Sequence, residues 1–144
     1  TKLRCVGTAL SPNGLALCDG GMVSLTSLDK VVKVDETTGL VTVQAGATVA
    51  AVVQALRPHG LTLRNFASID EQQMGGFVQV GAHGTGATIG PVDEQVVGFK
   101  IVTPGQSGHL LSLSLSLSPP LCLPSLSLSL SLSLLLSVCP FALN

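Results

Sequence analysis

Glu71-Gln72-Gln73-Met74-Gly75-Gly76-Phe77-Val78-Gln79-Val80-Gly81-Ala82-His83-Gly84-Thr85-Gly86-Ala87 is the stretch on which the reading of this chain turns. Between positions 75 and 90 there are six glycines in 16 residues. They interrupt Phe77-Val78-Gln79-Val80, so the stretch reads as neither a plain strand nor a plain helix. Glycine clusters let backbone N–H groups converge on an anion, because no Cβ blocks close approach. Gly81-Ala82-His83-Gly84-Thr85-Gly86 thus suits a pyrophosphate, with Thr85 adding a hydroxyl and His83 a ring donor. It is not a Walker loop, because no Gly-Lys-Ser/Thr follows. It is not the Rossmann fingerprint, because the order is G-x-x-G-x-G and no acidic residue follows at about 20 positions. A tight structural turn or bulge remains the alternative at this point.

Upstream, residues 3–7 form a short apolar strand that runs into Gly7-Thr8-Ala9-Leu10-Ser11-Pro12-Asn13-Gly14, a second glycine-bearing loop with Pro-Asn-Gly turn chemistry. A strand is expected over 22–25. Val31-Val32-Lys33-Val34 and Leu40-Val41-Thr42-Val43, joined by five residues ending in Gly39, predict a hairpin. Thr48 caps a helix in which Val49, Val52, Val53 and Leu56 make one buried stripe, and Pro58-His59-Gly60 ends it. His59 is expected to interact with that helix's C-terminal dipole. Strands follow at 61–63 and 96–102. The first 107 residues read as a mixed α+β domain, with two loops, each expected to end a strand, that could clamp one dinucleotide.

Composition divides the chain. All 15 charged residues lie between Lys2 and Lys100, for a net charge of -1. That balance gives no footprint for a phosphate backbone and excludes a dedicated nucleic-acid binder. The mean hydropathy of +0.58 comes largely from residues 108–144. From His109 onward, 15 Leu and 10 Ser account for 25 of 36 residues. A TC dinucleotide repeat read in triplets alternates Ser and Leu codons, so this tail is expected to be non-native or disordered and to pack little. A membrane-spanning helix is the alternative, although Ser at every second position and the lack of flanking Lys or Arg argue against it. The four cysteines have no C-x-x-C spacing and, with the histidines, no zinc-site pattern, so no metal is expected. The acid pairs Asp70-Glu71 and Asp93-Glu94 are read as solvated or helix-start charges.

The two loops together carry a resemblance. Val6 to Gly14, Asn65-Phe66-Ala67-Ser68-Ile69, the glycine-rich stretch and Asp93-Glu94-Gln95-Val96 resemble the aldonolactone oxidoreductases, whose FAD domain is of the vanillyl-alcohol-oxidase type. The resemblance runs from about residue 3 to 105. It implies an α+β FAD-binding domain of two subdomains clamping FAD, here incomplete, with the cap domain that supplies most of the substrate site missing. Gly7, Thr8, Ala9, Leu10, Ser11, Pro12 and Asn13 would wrap the pyrophosphate. Ser68, Gln73, Gly76, Val80, Gly81, Ala82 and His83 would line the flavin side. Several members carry a His where Leu10 stands and attach FAD covalently through it, so the resemblance implies noncovalent FAD here. Related oxidases carry Gly where Ala67 stands, so Ala67 is expected to obstruct oxygen. The implied activity is that of a dehydrogenase oxidising an aldonolactone, L-galactono-1,4-lactone to ascorbate in plant-type members, with cytochrome c as acceptor. The implied location is the mitochondrion, at its inner membrane. An oxygen-using sugar-lactone oxidase (of the D-arabinono-1,4-lactone type) or alditol oxidase, and an inactive fragment that binds no flavin, are the alternatives.

Overall fold

The computed structural model describes residues 3–100, 135–138 and 141–142. Strand β1 (Arg4–Val6) pairs in parallel with β2 (Met22–Ser24), Cys5 opposite Val23. A parallel pair needs a long crossover between its strands. Residues 7–21 provide it, so the first glycine-bearing loop arches over one end of this pair and includes a 3-10 turn at Gly14–Ala16. The guanidinium of Arg4 donates to the Leu15 carbonyl and braces the arch.

The hairpin forms as expected, β3 (Val31–Asp35) against β4 (Leu40–Gln44), with a bulge between Val31 and Lys33. Strand β4 buries Val41 and Val43 completely and leaves Leu40, Thr42 and Gln44 half-buried. That alternation is what a strand with one face on a core requires. Helix α1 (Val49–Leu56) packs on that face through Val49, Val52 and Leu56, each at most 1% exposed. Burial of side chains of this size contributes about 1.5–3 kcal/mol each. The Thr48 hydroxyl accepts from the Ala51 N–H at 3.1 Å, closing the helix start. At the other end a 3-10 turn at Arg57–His59 leads into Gly60, whose left-handed φ of 66° stops the helix. His59 has a specific partner that the expectation of a helix-dipole contact did not name. Its Nδ1 pairs with Glu36 in the hairpin turn, tying the helix end to β3 and β4. Strand β5 (Leu61–Thr62) follows.

The glycine-rich stretch corrects the sequence reading at one point. Met74–Gln79 is a helix, α2. Met74, Phe77 and Val78 lie at i, i+3 and i+4 and are buried in the same core as α1. A β-carbon on Gly75 would lie 3.1 Å from the Ala45 β-carbon, so glycine lets this helix press against the end of β4. The helical cost of glycine, about 1 kcal/mol, is offset by that close packing. The second loop therefore follows a helix rather than a strand.

A 3-10 turn at Val92–Gln95 precedes β6 (Val96–Lys100), and Asp93 and Glu94 stand exposed in that turn's first residues. Two further strands, β7 (Leu135–Val138) and β8 (Phe141–Ala142), belong to the Leu/Ser-rich tail. Strand β7 runs antiparallel between β4 and β6, giving a sheet of order β3-β4-β7-β6, and β8 pairs with β5. At these six residues the tail does not stand apart from the domain. The facing edges of β4 and β6 offer rows of N–H and C=O groups that an extended segment satisfies. The rest of the tail, including its Ser125–Leu134 repeat, lies outside the described residues. Among those described, no helix is long and apolar enough to cross a membrane.

Candidate functional site

Backbone hydrogen bonding locates the site. Residues 70–75 run alongside 45–50. Ala50 donates to the Asp70 carbonyl and Val49 to the Gln72 carbonyl, both at 2.9 Å. In return Met74 donates to Ala47 and Gly75 to Ala45, both at 2.8 Å. Thus the first two N–H groups of α2 are used by the end of β4 and the loop after it. Phe77 takes the Gln73 carbonyl at 2.9 Å. Among the described residues, the N–H of Gly76 has no acceptor. Gly76 is exposed, and a β-carbon there would meet nothing within 4 Å.

The first loop stands beside this helix start. A β-carbon on Gly7 would overlap the amide oxygen of Gln73, the residue that caps α2. From Gly7 through Ser11, five consecutive N–H groups donate to no acceptor among the described residues. Ala9 holds a left-handed φ of 54°, alone among the described non-glycine residues. Left-handed geometry within a run of free donors turns successive N–H groups toward one point, the arrangement of an anion-binding nest. For an L-residue that conformation costs about 1–2 kcal/mol. No acidic side chain occurs in residues 7–14. Beneath the loop, Gln73 is 8% exposed and its Oε1 has no hydrogen-bond partner. This buried acceptor suits the hydroxyl and ring N–H donors of a nucleotide cofactor, while the N–H row suits its phosphates. The residues present fit FAD.

The second loop contributes less than its glycines suggest. The N–H groups of Val80, Gly81 and Ala82 are spent on carbonyls of α2: Gly76, Val78 and Phe77 respectively, each at 3.1 Å. Ala82 also accepts from Val92 at 3.0 Å and lies in the core, so it lines no open surface. Val80 offers an apolar side chain, 63% exposed. Free donors resume with the N–H groups of His83, Thr85 and Gly86. His83 is exposed, and its Nδ1 lies 2.9 Å from the Gly84 carbonyl, to which it donates.

Other expected residues are placed as follows. Thr8, Leu10, Ser11, Pro12, Asn13 and Ser68 are exposed around the same loops. Ala67 is half-buried and packs against the core cluster. Asn13 caps the 3-10 turn by accepting from Leu15 at 3.3 Å. Two residues had no role assigned from the sequence: Arg4, which braces the first loop, and Asn65, which begins one of the resembling segments and holds the second loop. Only their partners reveal these roles. Cys5 is half-buried, and burial pushes its thiol pKa up, so it stays protonated and inert. Among the described residues no group of His, Cys, Asp and Glu could hold a metal ion.

Comparison with known proteins places the chain among FAD-binding domains. The chain is 61% identical over 111 residues to the mitochondrial L-galactono-1,4-lactone dehydrogenase 1 of Oryza sativa subsp. japonica, a match that covers 77% of this chain and 19% of that protein. It is 55% identical to the mitochondrial L-galactono-1,4-lactone dehydrogenase of Arabidopsis thaliana, covering 77% of this chain and 18% of the relative. The chain therefore spans about a fifth of the length of these relatives. Its fold matches a mutant cholesterol oxidase from Brevibacterium sterolicum with a TM-score of 0.74 at 20% identity, over 98% of this chain and 30% of that one. The architecture is thus the α+β FAD-binding fold of the vanillyl-alcohol-oxidase type. The family model for the FAD binding domain matches residues 1–114, and the chain belongs to that family of FAD-binding domains.

Proposed function

We propose that this chain is the flavin-holding part of an aldono-1,4-lactone dehydrogenase that oxidises L-galactono-1,4-lactone to ascorbate. The observation that carries the reading is the row of free N–H groups from Gly7 to Ser11 beside the free N–H of Gly76, above the buried Gln73 amide. The names of the plant relatives supply the lactone and the mitochondrial location. FAD, when bound, supplies the acceptor for the two electrons that leave the lactone. Residues 7–13 bind its pyrophosphate. Gly76, His83, Thr85 and Gly86 add donors, and Ser68 and Gln73 orient the flavin end. Leu10 has no nucleophilic atom, so the linkage is noncovalent. Electrons pass to cytochrome c at the inner mitochondrial membrane. No residue here is assigned to the lactone itself.

Titrating the purified chain with FAD tests the first part: saturable fluorescence quenching is expected, and none at about 100 μM FAD, a concentration that reveals even weak affinity, overturns it. The second reading, an oxygen-using lactone oxidase, stands against Ala67 as an obstruction to oxygen, but the packing of Ala67 against the core is also what a purely structural alanine shows. The dithionite-reduced, FAD-loaded chain should reduce cytochrome c faster than it consumes oxygen. Ala67→Gly should raise oxygen consumption about tenfold, a barrier change of about 1.4 kcal/mol. Equal oxygen rates in the two proteins favour the structural alanine.

A further inference from the structure

Asn65 is 4% exposed and follows β5 by three residues. Its side-chain amide reaches across to the second loop at two places. Oδ1 accepts from the Gly84 N–H. Nδ2 donates to the Gly90 carbonyl at 2.9 Å and lies 3.5 Å from that of Ile89. The loop is also seated on the neighbouring backbone. A β-carbon on Gly84 would fall 2.5 Å from the Phe66 carbonyl oxygen and 2.8 Å from Asn65 Oδ1. One buried amide therefore grips both the entry and the exit of residues 84–90, and Ala67 and Ser68 of the candidate site follow it by two and three positions.

We infer that Asn65 is the positioning residue of the cofactor site: its amide sets the donors of Thr85 and Gly86 in register with Ala67 and Ser68. The identity of the ligand rests on the FAD reading above; the grip itself does not. The chemistry demands an asparagine. One end must accept from an N–H while the other donates to a carbonyl, in fixed geometry. A carboxylate only accepts, and an apolar residue does neither. Removing the amide strands a half-buried N–H and a half-buried carbonyl at once.

The test uses Asn65→Ala and Asn65→Asp in the 144-residue chain. In Asn65→Ala, hydrogen exchange at the Gly84 amide should quicken about tenfold while the amides of Val52 and Phe77 stay protected, and FAD affinity should fall about tenfold. Asn65→Asp should bind FAD within about threefold of wild type near pH 4, where the acid, its pKa raised by burial and by the two facing carbonyls, is protonated and again donates to Gly90, and about tenfold more weakly near pH 8, where the carboxylate faces those carbonyls. The charged groups around it are Glu94, set against Gly90, Asp93 beside Gly81, Arg64 next in sequence and His83 next to Gly84. Wild type carried through the same pH series removes their own contributions. Unchanged Gly84 exchange overturns the grip. Faster Gly84 exchange with unchanged FAD affinity, or an Asn65→Asp affinity ratio that is flat with pH, overturns the positioning role. A wild-type chain that takes up no FAD overturns the FAD reading, and the exchange rates alone then decide the grip.

Discussion

Gly7 lies so close to Gln73 that a β-carbon at position 7 would occupy the place of the Gln73 amide oxygen. The first loop is thus fitted to the start of α2, two segments more than sixty residues apart in the chain. Gly7→Ala should push the Gln73 amide, the unheld end of a flexible side chain, out of place and destabilise the domain by about 1 kcal/mol, the low end of overpacking. Combining it with Gln73→Ala should return most of that loss, because the obstructing amide is gone. Urea unfolding of the two single variants and the double variant measures the coupling, expected at about 1 kcal/mol for residues in contact. Strict additivity would show that the two segments do not touch.

Gly76 separates binding from stability. Its β-carbon direction is open, so Gly76→Ala should gain helix propensity and stabilise the free protein by about 0.5–1 kcal/mol. The same methyl stands beside the free N–H and should weaken FAD binding about tenfold, a loss of about 1.4 kcal/mol. A thermal melt and an FAD titration on one sample should therefore move in opposite senses. If both improve, the cofactor does not approach α2 at this turn.

Leu10 predicts how the cofactor is held. FAD bound to the chain should pass wholly into the supernatant on acid precipitation, since a leucine side chain forms no bond to the flavin. Fluorescence remaining with the washed pellet would locate an attachment elsewhere.

The hairpin turn carries a pH signature. The Lys33 ammonium, 2.9 Å from Asp35, together with N–H donors led by that of Thr38, holds the Asp35 carboxyl down at about 2, against an ordinary 3.8. A folded value below the unfolded one means that the stabilisation is complete above about pH 4 and fades as pH falls toward about 2. Asp35→Asn keeps an acceptor for Thr37 and Thr38 but does not ionise. The thermal midpoint of this variant should change less than that of wild type between those two pH values. Parallel curves would place the acid sensitivity at another carboxylate.

What could be read in the sequence was local. The β3–β4 hairpin and α1 were legible because their period, cap and turn residues lie within a few positions of one another. The first loop was legible because Gly, Pro and Asn specify turns by their own backbone preferences. Helix α2 was not, because Gly75 and Gly76 argue against a helix until Ala45 is known to lie against one of them. The free donors of the second loop were overcounted for the same reason: only the helix explains why Val80, Gly81 and Ala82 are already engaged. Asn65 looked ordinary because its partners lie 19 to 25 residues away. Strand β7 was hidden in a Leu/Ser run whose uniform alternation specifies no register.

Strand β7 also governs the order in which the molecule can assemble. Among the described residues nothing but β7 joins β6 to the sheet, and its pairing of Leu135 with Gln44 closes a loop of about 90 residues. The closure entropy grows only slowly with that length, but pairings of such sequence separation form slowly. The hairpin and the two helices are built from nearer contacts and can form first. Until β7 arrives, β4 and β6 each present a bare edge to any other extended chain. Intermolecular pairing therefore competes with the final step of folding, and the yield of soluble protein should fall as the concentration at which it refolds is raised.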